Sequence, residues 1–315
     1  MSREDSAPLA GVAQEQGGQE QGGQERGGQE QAAQESVLGR PAPALRRYVA
    51  FYAGYRQAGV APARHRGLPS PYLTLIFTLD EPLHLAVPTD PRRPPRDFGT
   101  LIGGLHTTPA IIAHQGHQSG IQLGLKPLGA RALLGLPAGE LSGLDLDAGD
   151  VLGPLAAELH ERLRTAFTWP QRFALLDDLL LGQVRDIQPV SREVAQAWRV
   201  LLASGGTAAV PELAREAGWS SRRLGTRFKA ETGLGPKEAA RVVRFDRARR
   251  LLQHRVLAAG KPELAALAAA CGYYDQAHLA REFRALAGCP PSQWVAEEFR
   301  NVQANGQPGG ANSRP

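Results

Sequence analysis

Residues 213–236 read Leu-Ala-Arg-Glu-Ala-Gly-Trp-Ser-Ser-Arg-Arg-Leu-Gly-Thr-Arg-Phe-Lys-Ala-Glu-Thr-Gly-Leu-Gly-Pro. The positions that set their pattern are Leu213, Ala214, Gly218, Leu224, Phe228, Gly233 and Pro236. The same residue types recur 54 positions later for the first three and 55 positions later for the other four, as Leu267, Ala268, Gly272, Leu279, Phe283, Gly288 and Pro291. Self-similarity at a nearly fixed spacing predicts two copies of one supersecondary unit.

Each copy is predicted to be a short helix, a turn and a second helix. Ala214 is small enough to let the two helices approach, and Gly218 supplies the left-handed conformation of the turn. Ser220 stands four residues before the buried Leu224, where an N-cap is expected. In the second copy the corresponding positions hold Ala268, Gly272 and Asp275. This is the pattern of a helix-turn-helix.

Residues 239–253 separate the two copies and have the periodicity of an amphipathic helix. The inward positions are Val242, Phe245, Ala248 and Leu252, and the largely outward positions are Arg241, Arg244, Arg247 and Arg250. A helix of about 15 residues spans ~22 Å. Once the two copies that flank this helix are included, their second helices are expected to lie ~34 Å apart, which is the length of one DNA turn. One chain is then expected to enter two successive major-groove segments.

Two motifs in this part of the chain resemble the AraC/XylS family of transcription regulators. They are Gly-Trp-Ser-Ser-Arg-Arg-Leu-Gly-Thr-Arg-Phe-Lys-Ala-Glu-Thr-Gly at residues 218–233 and Ala-Cys-Gly-Tyr-Tyr-Asp-Gln-Ala-His-Leu-Ala-Arg-Glu-Phe at residues 270–283. The resemblance extends over residues 190–298, with both motifs in register. It implies a double helix-turn-helix DNA-binding domain, commonly attached to an amino-terminal sensor that binds a small effector or mediates dimerisation. The implied candidate partners are double-stranded DNA, RNA polymerase, a small effector and a second copy of the chain.

Residues 41–185 also resemble the sensor module of a subgroup of these regulators. The similar stretches are Pro-Ser-Pro-Tyr-Leu-Thr-Leu-Ile-Phe at residues 69–77, Gly-Gly-Leu-His-Thr at residues 103–107 and Pro-Leu-Gly-Ala-Arg-Ala-Leu-Leu-Gly at residues 127–135. This second resemblance names no ligand.

Charge is distributed unevenly along the 315 residues, whose formal net charge is +5. Residues 1–39 contain 2 basic and 7 acidic side chains, whereas residues 189–300 contain 18 basic and 11 acidic ones. A charged partner responds to local rather than total charge. The basic excess therefore favours a nucleic-acid partner for the carboxy-terminal third.

The motifs that the sequence lacks exclude several function classes. The chain has two cysteines, Cys271 and Cys289, which are too few for a disulfide framework. No apolar amino-terminal run resembles a signal peptide or a membrane span, so we expect a cytoplasmic protein without a membrane partner. Neither a Gly-x-Ser-x-Gly elbow nor a phosphate-binding P-loop occurs. No cysteine precedes residue 271, which excludes the DNA-repair class that couples this helix-turn-helix to a methyl-accepting cysteine.

The amino-terminal half has the pattern of a small β-barrel or sandwich followed by helices. Apolar residues alternate along residues 73–79 and 83–87, and shorter apolar runs end at Gly or Pro. Leucine stripes then predict helices at residues 151–164 and 171–184. The predicted fold class is α+β, with an all-α domain following in which a linker helix joins two helix-turn-helix motifs. The leucine stripes could form a dimer seam, but packing on their own sheet is favoured.

Composition divides the chain into four parts. Residues 11–35 repeat Gln-Glu-Gln-Gly-Gly with almost nothing apolar, so residues 1–39 are predicted to be a disordered tail. Residues 40–188 are predicted to be the sensor or dimerisation domain and residues 189–300 the DNA-binding domain. Residues 301–315 are predicted to be a second disordered tail.

The second helix of each copy carries the candidate base-contacting residues. In the first copy these are Ser221, Arg222 and Thr226, with Gly225 offering no side chain. In the second copy they are Gln276, Ala277, His278 and Arg281. Arg can pair with guanine, Gln with adenine, and Thr can touch a thymine methyl group. Alternatively, some of these side chains contact only phosphate or solvent.

Phosphate anchors are expected among the basic residues of the same region. The candidates are Arg223, Arg227, Lys229, Arg241, Arg244 and Arg284, of which about half are expected to touch DNA. A solvated helix face is the alternative for the others. Four aromatic residues are expected to pack in the core or in turns rather than to stack on bases, namely Trp198, Trp219, Tyr273 and Trp294.

We expect no metal and no cofactor. The histidines that could suggest a metal site are His65, His84, His106, His114 and His117, but no carboxylate stands at a recognisable spacing from them. Cys271 and Cys289 are expected to be small buried residues. The favoured function is a non-enzymatic, sequence-specific transcription regulator. The alternative is a barrel that processes or binds a small molecule and carries an accessory DNA-binding domain; an apolar pocket with few polar groups would favour effector sensing.

Overall fold

The computed structural model describes residues 33–186, 189–259 and 263–303. The predicted tails at residues 1–32 and 304–315 lie outside these ranges. Two tail boundaries are corrected, because Ala33–Gly39 forms a paired strand and the last helix runs to Gln303. The hydrogen bonds to the next strand explain the first correction, since they order a segment whose composition alone predicts disorder.

In the described ranges, ten strands form two antiparallel sheets. They are β1 (Ala33–Gly39), β2 (Val49–Ala58), β3 (Ala63–Gly67), β4 (Leu73–Thr78), β5 (Leu83–Val87), β6 (Arg96–Phe98), β7 (Thr100–Gly103), β8 (Ala110–His114), β9 (Gln118–Leu125) and β10 (Asp145–Asp147). The larger sheet has the order β1-β2-β9-β4-β7-β10, and the smaller one β3-β8-β5-β6. The described strands form an open sandwich rather than a closed barrel.

The larger sheet has two different faces because side chains alternate along each strand. Ile76 and Leu101 face the smaller sheet, where they form a small core with Leu85 and Ile112. Leu75 and Ile102, the neighbouring residues along the same strands, belong to the main core on the opposite face. The side chains of the small core leave a space between the two sheets.

Four helices accompany the strands in the described part of this half: the first lies between β9 and β10, and the other three follow β10. They are α1 (Ala130–Leu134), α2 (Gly149–Leu152), α3 (Pro154–Thr165) and α4 (Trp169–Gln183). The single helix predicted at residues 151–164 is corrected to two, because Gly153 adopts a φ of 61° and ends α2. The leucine stripes pack on their own domain, as favoured above: Leu159, Leu163, Leu176 and Leu180 are buried in the main core.

The remaining helices form the all-α part. They are α5 (Arg192–Ala203), α6 (Val210–Glu216), α7 (Ser221–Thr232), α8 (Pro236–Ala259), α9 (Leu264–Ala270), α10 (Gln276–Ala287) and α11 (Pro291–Gln303). The predicted fold class is confirmed, with a sheet-rich part followed by two helix-turn-helix units. The linker helix α8 is longer than predicted, at 24 residues. Across the described ranges, no helix combines the length and the apolar character that crossing a membrane requires.

Candidate nucleic-acid interface

The first helix-turn-helix consists of α6 and α7. Gly218 turns the chain with a φ of 64°, and the hydroxyl of Ser220 accepts a hydrogen bond from the backbone N–H of Arg223 at 3.2 Å. Leu224 and Phe228 are fully buried on the inner side of α7. The predicted turn and N-cap are therefore confirmed, and they fix which side of α7 faces outward.

The second unit, α9 and α10, has the same construction. Gly272 adopts a φ of 73°, and the Asp275 carboxylate accepts a hydrogen bond from the backbone N–H of His278 at 2.6 Å. Leu279 and Phe283 are fully buried. An aspartate N-cap also places a negative charge at the positive end of the helix dipole.

The linker helix α8 carries both units. The predicted inward residues Val242, Phe245, Ala248 and Leu252 are all buried. The ring of Phe245 meets that of Phe283 edge to face, with 5.0 Å between centroids. Because α7, α9 and α10 all contact α8, one helix sets the distance between the two outward surfaces.

The outward surface of α7 holds the first group of candidate residues. The exposed ones are Ser221, Arg222, Arg223, Thr226, Arg227 and Lys229. A shallow groove runs along Ser220, Arg222, Arg223, Thr226 and Arg227. A Cβ added to Gly225 would have no atom within 4 Å, so this surface has a gap in its middle. The residues that line this groove include three arginines and no acidic residue, so the groove is positively charged.

Gly225 gives a stability prediction with an internal control. Gly225→Ala is expected to raise the free energy of unfolding by about 0.5–1 kcal/mol, because alanine loses less conformational entropy in a helix interior and meets no neighbour here. Gly218→Ala is expected to lower it, because alanine is strained at a φ of 64°. Urea titrations followed by circular dichroism measure both. Equal signs for the two variants would contradict this interpretation.

The outward surface of α10 holds the second group. Gln276, Ala277 and Arg281 are exposed. His278 is half-buried, and its Nδ1 lies 3.3 Å from the backbone N–H of Tyr274, which donates to it. A neutral ring in this arrangement has its proton on Nε2, which can then donate a hydrogen bond. These four residues lie in the first half of α10, and which of them contact DNA stays a prediction.

Arg241 and Arg244 each form a hydrogen bond with a group of another segment of the chain. Arg244 donates to the carbonyl oxygen of Gly206 at 2.8 Å, and its guanidinium lies 5.6 Å from the ring centroid of Tyr273. Arg241 forms a forked pair with Glu282 at 2.9–3.3 Å. Both arginines are half-buried, so they hold the helices of this part together.

Aromatic residues occupy the positions expected of packing groups, with one addition. Trp198, Tyr273 and Trp294 are buried, and Trp219 lies under the guanidinium of Arg223 at 4.6 Å. Tyr274, which the sequence reasoning missed, is 93% exposed immediately before the N-cap of α10. The sequence contains a sign of this exposure: Tyr273 and Tyr274 are adjacent in a turn, and when one of them packs in the core the other is directed to solvent.

Two family models match the chain. One, described as a helix-turn-helix domain, matches residues 213–297, which include both copies of the duplicated unit. The chain carries an AraC-type DNA-binding domain. It is a DNA-binding transcription regulator. The other model, a domain of unknown function (DUF6597), matches residues 39–147 in the sheet-rich half.

Some solved structures are similar to the chain at low sequence identity. ToxT from Vibrio cholerae is 9% identical, with 84% of this chain and 98% of that chain covered and a TM-score of 0.46. The AraC-like transcriptional activator CuxR is 17% identical, with 70% and 86% covered and a TM-score of 0.28. No curated protein matches the chain.

The AraC-type domain docks on the sheet-rich half at two places. Arg131 of α1 forms a forked ion pair with Glu231 near the end of α7, at 2.8 and 2.9 Å. The hydroxyl of Ser142 donates to the carbonyl oxygen of Gly233 at 2.5 Å. On the other side, Arg66 of β3 pairs with Glu297 of α11. These contacts leave the amino-terminal part of α7, which holds Arg222 and Thr226, exposed.

A cavity of about 100 Å³ lies between the two sheets and reaches the AraC-type domain at α8. Its apolar lining includes Ile76, Leu83, Leu85, Leu101 and Ile112, and its polar lining includes Gln122, His106 and Asp145. The Asp145 carboxylate accepts hydrogen bonds from the backbone and the hydroxyl of Thr89, at 2.8 and 2.9 Å. Burial lowers the pKa of His106, which favours the neutral imidazole.

The remaining histidines and the cysteines do not assemble a reactive centre. Burial, with a smaller contribution from His114, lowers the pKa of His65 to about 4, and the two rings lie 6.1 Å apart. Within the described ranges, no three His, Cys, Asp or Glu side chains come together as metal ligands. Cys271 and Cys289 are buried free thiols whose pKa values are raised by burial. They are small buried residues, as predicted.

Proposed function

We propose that α7 and α10 enter two successive major-groove segments of one DNA duplex and recognise its sequence. The observation that carries this proposal is the pair of N-capped helices mounted on a single helix, α8, each with its polar face outward. The N-terminal residues of a recognition helix are those that contact base edges in helix-turn-helix proteins. In α7 these residues are exposed, and in α10 Gln276 and Ala277 are exposed while His278 is half-buried.

The proposed contacts divide into base readers and phosphate anchors. The readers are Ser221, Arg222, Thr226, Gln276, Ala277, His278 and Arg281. The anchors are Arg223, Arg227, Lys229 and Arg284, to which the exposed hydroxyl of Tyr274 is added. Arg244 stays a candidate only through its charge, because its hydrogen bond to Gly206 already uses one amino group. The second unit has more long polar readers, so base discrimination is expected to depend mainly on it.

Arg281 tests this division. Arg281→Ala is expected to cost about 1–3 kcal/mol on the preferred site and to flatten the preference at one base position. Arg284→Ala is the matched control, because it removes the same side chain from another exposed position of α10. It is expected to weaken all sequences alike or to change nothing. Binding of both full-length variants to a randomised duplex library, followed by sequencing, measures the preferences.

Two outcomes would reject the proposed readers. Unchanged base preferences in the Arg281 variant would remove this residue from the readers. Preferences lost only in the half-site under α7 would show that the two units were assigned in the wrong order. Both variants are surface substitutions, so folding is expected to survive them.

We propose that the sheet-rich half is a sensor domain that binds a small effector in the cavity between its sheets. The lining supports this, because it combines apolar side chains from both sheets with polar and charged side chains that could orient a ligand. We place the boundary with the DNA-binding domain in the connection between α4 and α5. Catalysis is not part of the proposal, because the matched helix-turn-helix domain supports a regulatory role for the chain.

Further partners follow from the proposed role. RNA polymerase is proposed as a partner of the DNA-bound form. A second copy of the chain is proposed to contact the outer side of α4, where Leu181 is 39% exposed and Phe167 of the preceding loop is 90% exposed. These two side chains replace the inward leucines as the candidate dimer contacts.

A further inference from the structure

The segment between α5 and α6 lies against the turn of the second helix-turn-helix. A Cβ added to Gly272, in that turn, would lie 2.5 Å from the Cγ2 atom of Thr207. Thr207 and the preceding Gly206 belong to the connection that leads into α6. The entrance of the first unit therefore touches the turn of the second, in addition to the contacts that α7, α9 and α10 make with α8.

Arg244 of α8 joins the same two segments. Its guanidinium donates a hydrogen bond to the carbonyl oxygen of Gly206 at 2.8 Å. It also lies 5.6 Å from the ring centroid of Tyr273, the residue that follows Gly272. The first contact is a charge-assisted hydrogen bond and the second is a cation–π contact. One side chain thus bridges the entrance of the first unit and the turn of the second.

The surroundings of Arg244 favour contacts within the protein over a contact with DNA. Arg244 is half-buried, and its Nε atom is buried where the described residues offer it no hydrogen-bond partner. A charged group that is partly removed from water needs its remaining contacts to offset the lost hydration. By contrast, the proposed anchors Arg223 and Arg227 are exposed. Arg244 is placed to hold two segments of the chain together.

Tyr273 continues this connection to α10. Its ring meets the ring of His278, a proposed base reader, at an angle of 89° with 5.3 Å between the centroids. Tyr273 is 5% exposed, so its ring has few other positions in the packed interior. A change at Arg244 therefore acts, through groups in contact, on the part of α10 that is proposed to face the DNA.

We propose that Arg244 is a positioning residue that fixes the separation of the two reading helices, so that the chain accepts one spacing between its two half-sites on DNA. This inference rests on the proposed binding of α7 and α10 to one duplex. One additional base pair moves a half-site by ~3.4 Å and rotates it by roughly 34° about the DNA axis. Two units that are bridged to each other cannot follow this movement without a cost in binding free energy.

The test measures how strictly the full chain selects the spacing. The best duplex from the randomised library, in which two selected sequence blocks mark the half-sites, is prepared again with one base pair inserted or deleted between the blocks. Fluorescence anisotropy measures the three affinities. The unmodified chain is expected to bind the original spacing about tenfold or more tightly than either altered one. Arg244→Gln is expected to reduce this spacing ratio to about threefold or less, because the bridge is lost.

Two comparisons separate positioning from other effects of the charge. Arg247→Gln removes the same charge from an exposed position about one turn along α8, and it is expected to keep the spacing ratio of the unmodified chain. The salt slope of Arg244→Gln is expected to equal that of the unmodified chain, whereas loss of a phosphate contact would reduce it by about one unit. A reduced slope with an unchanged spacing ratio would make Arg244 a phosphate anchor and overturn the inference.

Tyr273 provides a second pair of variants. Tyr273→Leu removes the ring between Arg244 and His278, and it is expected to lower the spacing ratio as Arg244→Gln does. Tyr273→Phe keeps the ring and loses a buried hydroxyl that has no hydrogen-bond partner among the described residues, so it is expected to keep the ratio. Circular dichroism checks the folding of each variant. An unchanged ratio in folded Arg244→Gln, or the same ratio in both Tyr273 variants, would overturn the inference.

The unmodified chain alone separates the two proposals. A chain that selects two sequence blocks but binds all three spacings equally would overturn the inference and leave the regulator function standing. A folded chain that binds no duplex DNA at low salt would overturn the proposed function itself, and the inference with it.

Discussion

Phe245→Ala is expected to lower the free energy of unfolding by about 3–5 kcal/mol, the largest effect of any single change considered for this protein. Phe245 is fully buried on α8 and packs edge to face on Phe283 of α10. Its removal leaves a cavity at the centre of the scaffold that holds the two reading helices, and the rigid helices around it can collapse only partly. DNA binding is expected to fall together with stability.

The measurement is a urea titration of the full chain followed by circular dichroism. Leu257→Ala is the control, because Leu257 of the same helix is 44% exposed and truncation there is expected to change stability by less than about 0.5 kcal/mol. A loss below about 1 kcal/mol for Phe245→Ala would mean that α8 is not the common scaffold of the two units.

Salt is expected to weaken DNA binding steeply. Each phosphate that a cationic side chain neutralises releases condensed counterions, so about six contacts reduce affinity ~10³-fold between 50 and 200 mM salt. The structure offers exposed cations on both reading helices, among them Arg223, Arg227 and Arg284. Fluorescence anisotropy on a labelled duplex at several salt concentrations measures the slope.

Arg227 and Arg162 separate a contact effect from a general charge effect. Arg227→Gln is expected to reduce the salt slope by about one unit, because one phosphate contact is lost. Arg162→Gln removes the same charge from the exposed surface of α3, away from the reading helices, and is expected to leave the slope unchanged. Equal slopes for these two variants would show that net charge alone governs the binding.

The helix-turn-helix units were predictable because their local signals agree with one another. Gly218 and Gly272 need a left-handed backbone, Ser220 and Asp275 satisfy helix termini, and the buried leucines follow in register. All of these requirements act within one short segment. The exposure of the candidate readers followed from the same periodicity.

The parts that sequence reasoning missed depend on contacts between distant segments. β3 reads Ala-Arg-His-Arg-Gly, which is too polar for a strand signal, and it forms because β8 pairs with it along its full length. Arg244 has the composition of a DNA contact, yet its partner Gly206 lies 38 residues away in sequence. The cavity could not be foreseen either, because its lining comes from both sheets and from α8.

The ion pair between Arg131 and Glu231 has a consequence for domain exchange between relatives. A chimera that joins a foreign sensor domain ahead of α5 would keep Glu231 and lose Arg131, which leaves a carboxylate that is 20% exposed without its cation. Ser142, the donor to Gly233, would be lost in the same exchange. Chimeras that work should therefore take α1, the segment after it and α7 from the same parent protein. The part of the chain that has to be exchanged together thus includes residues of both domains.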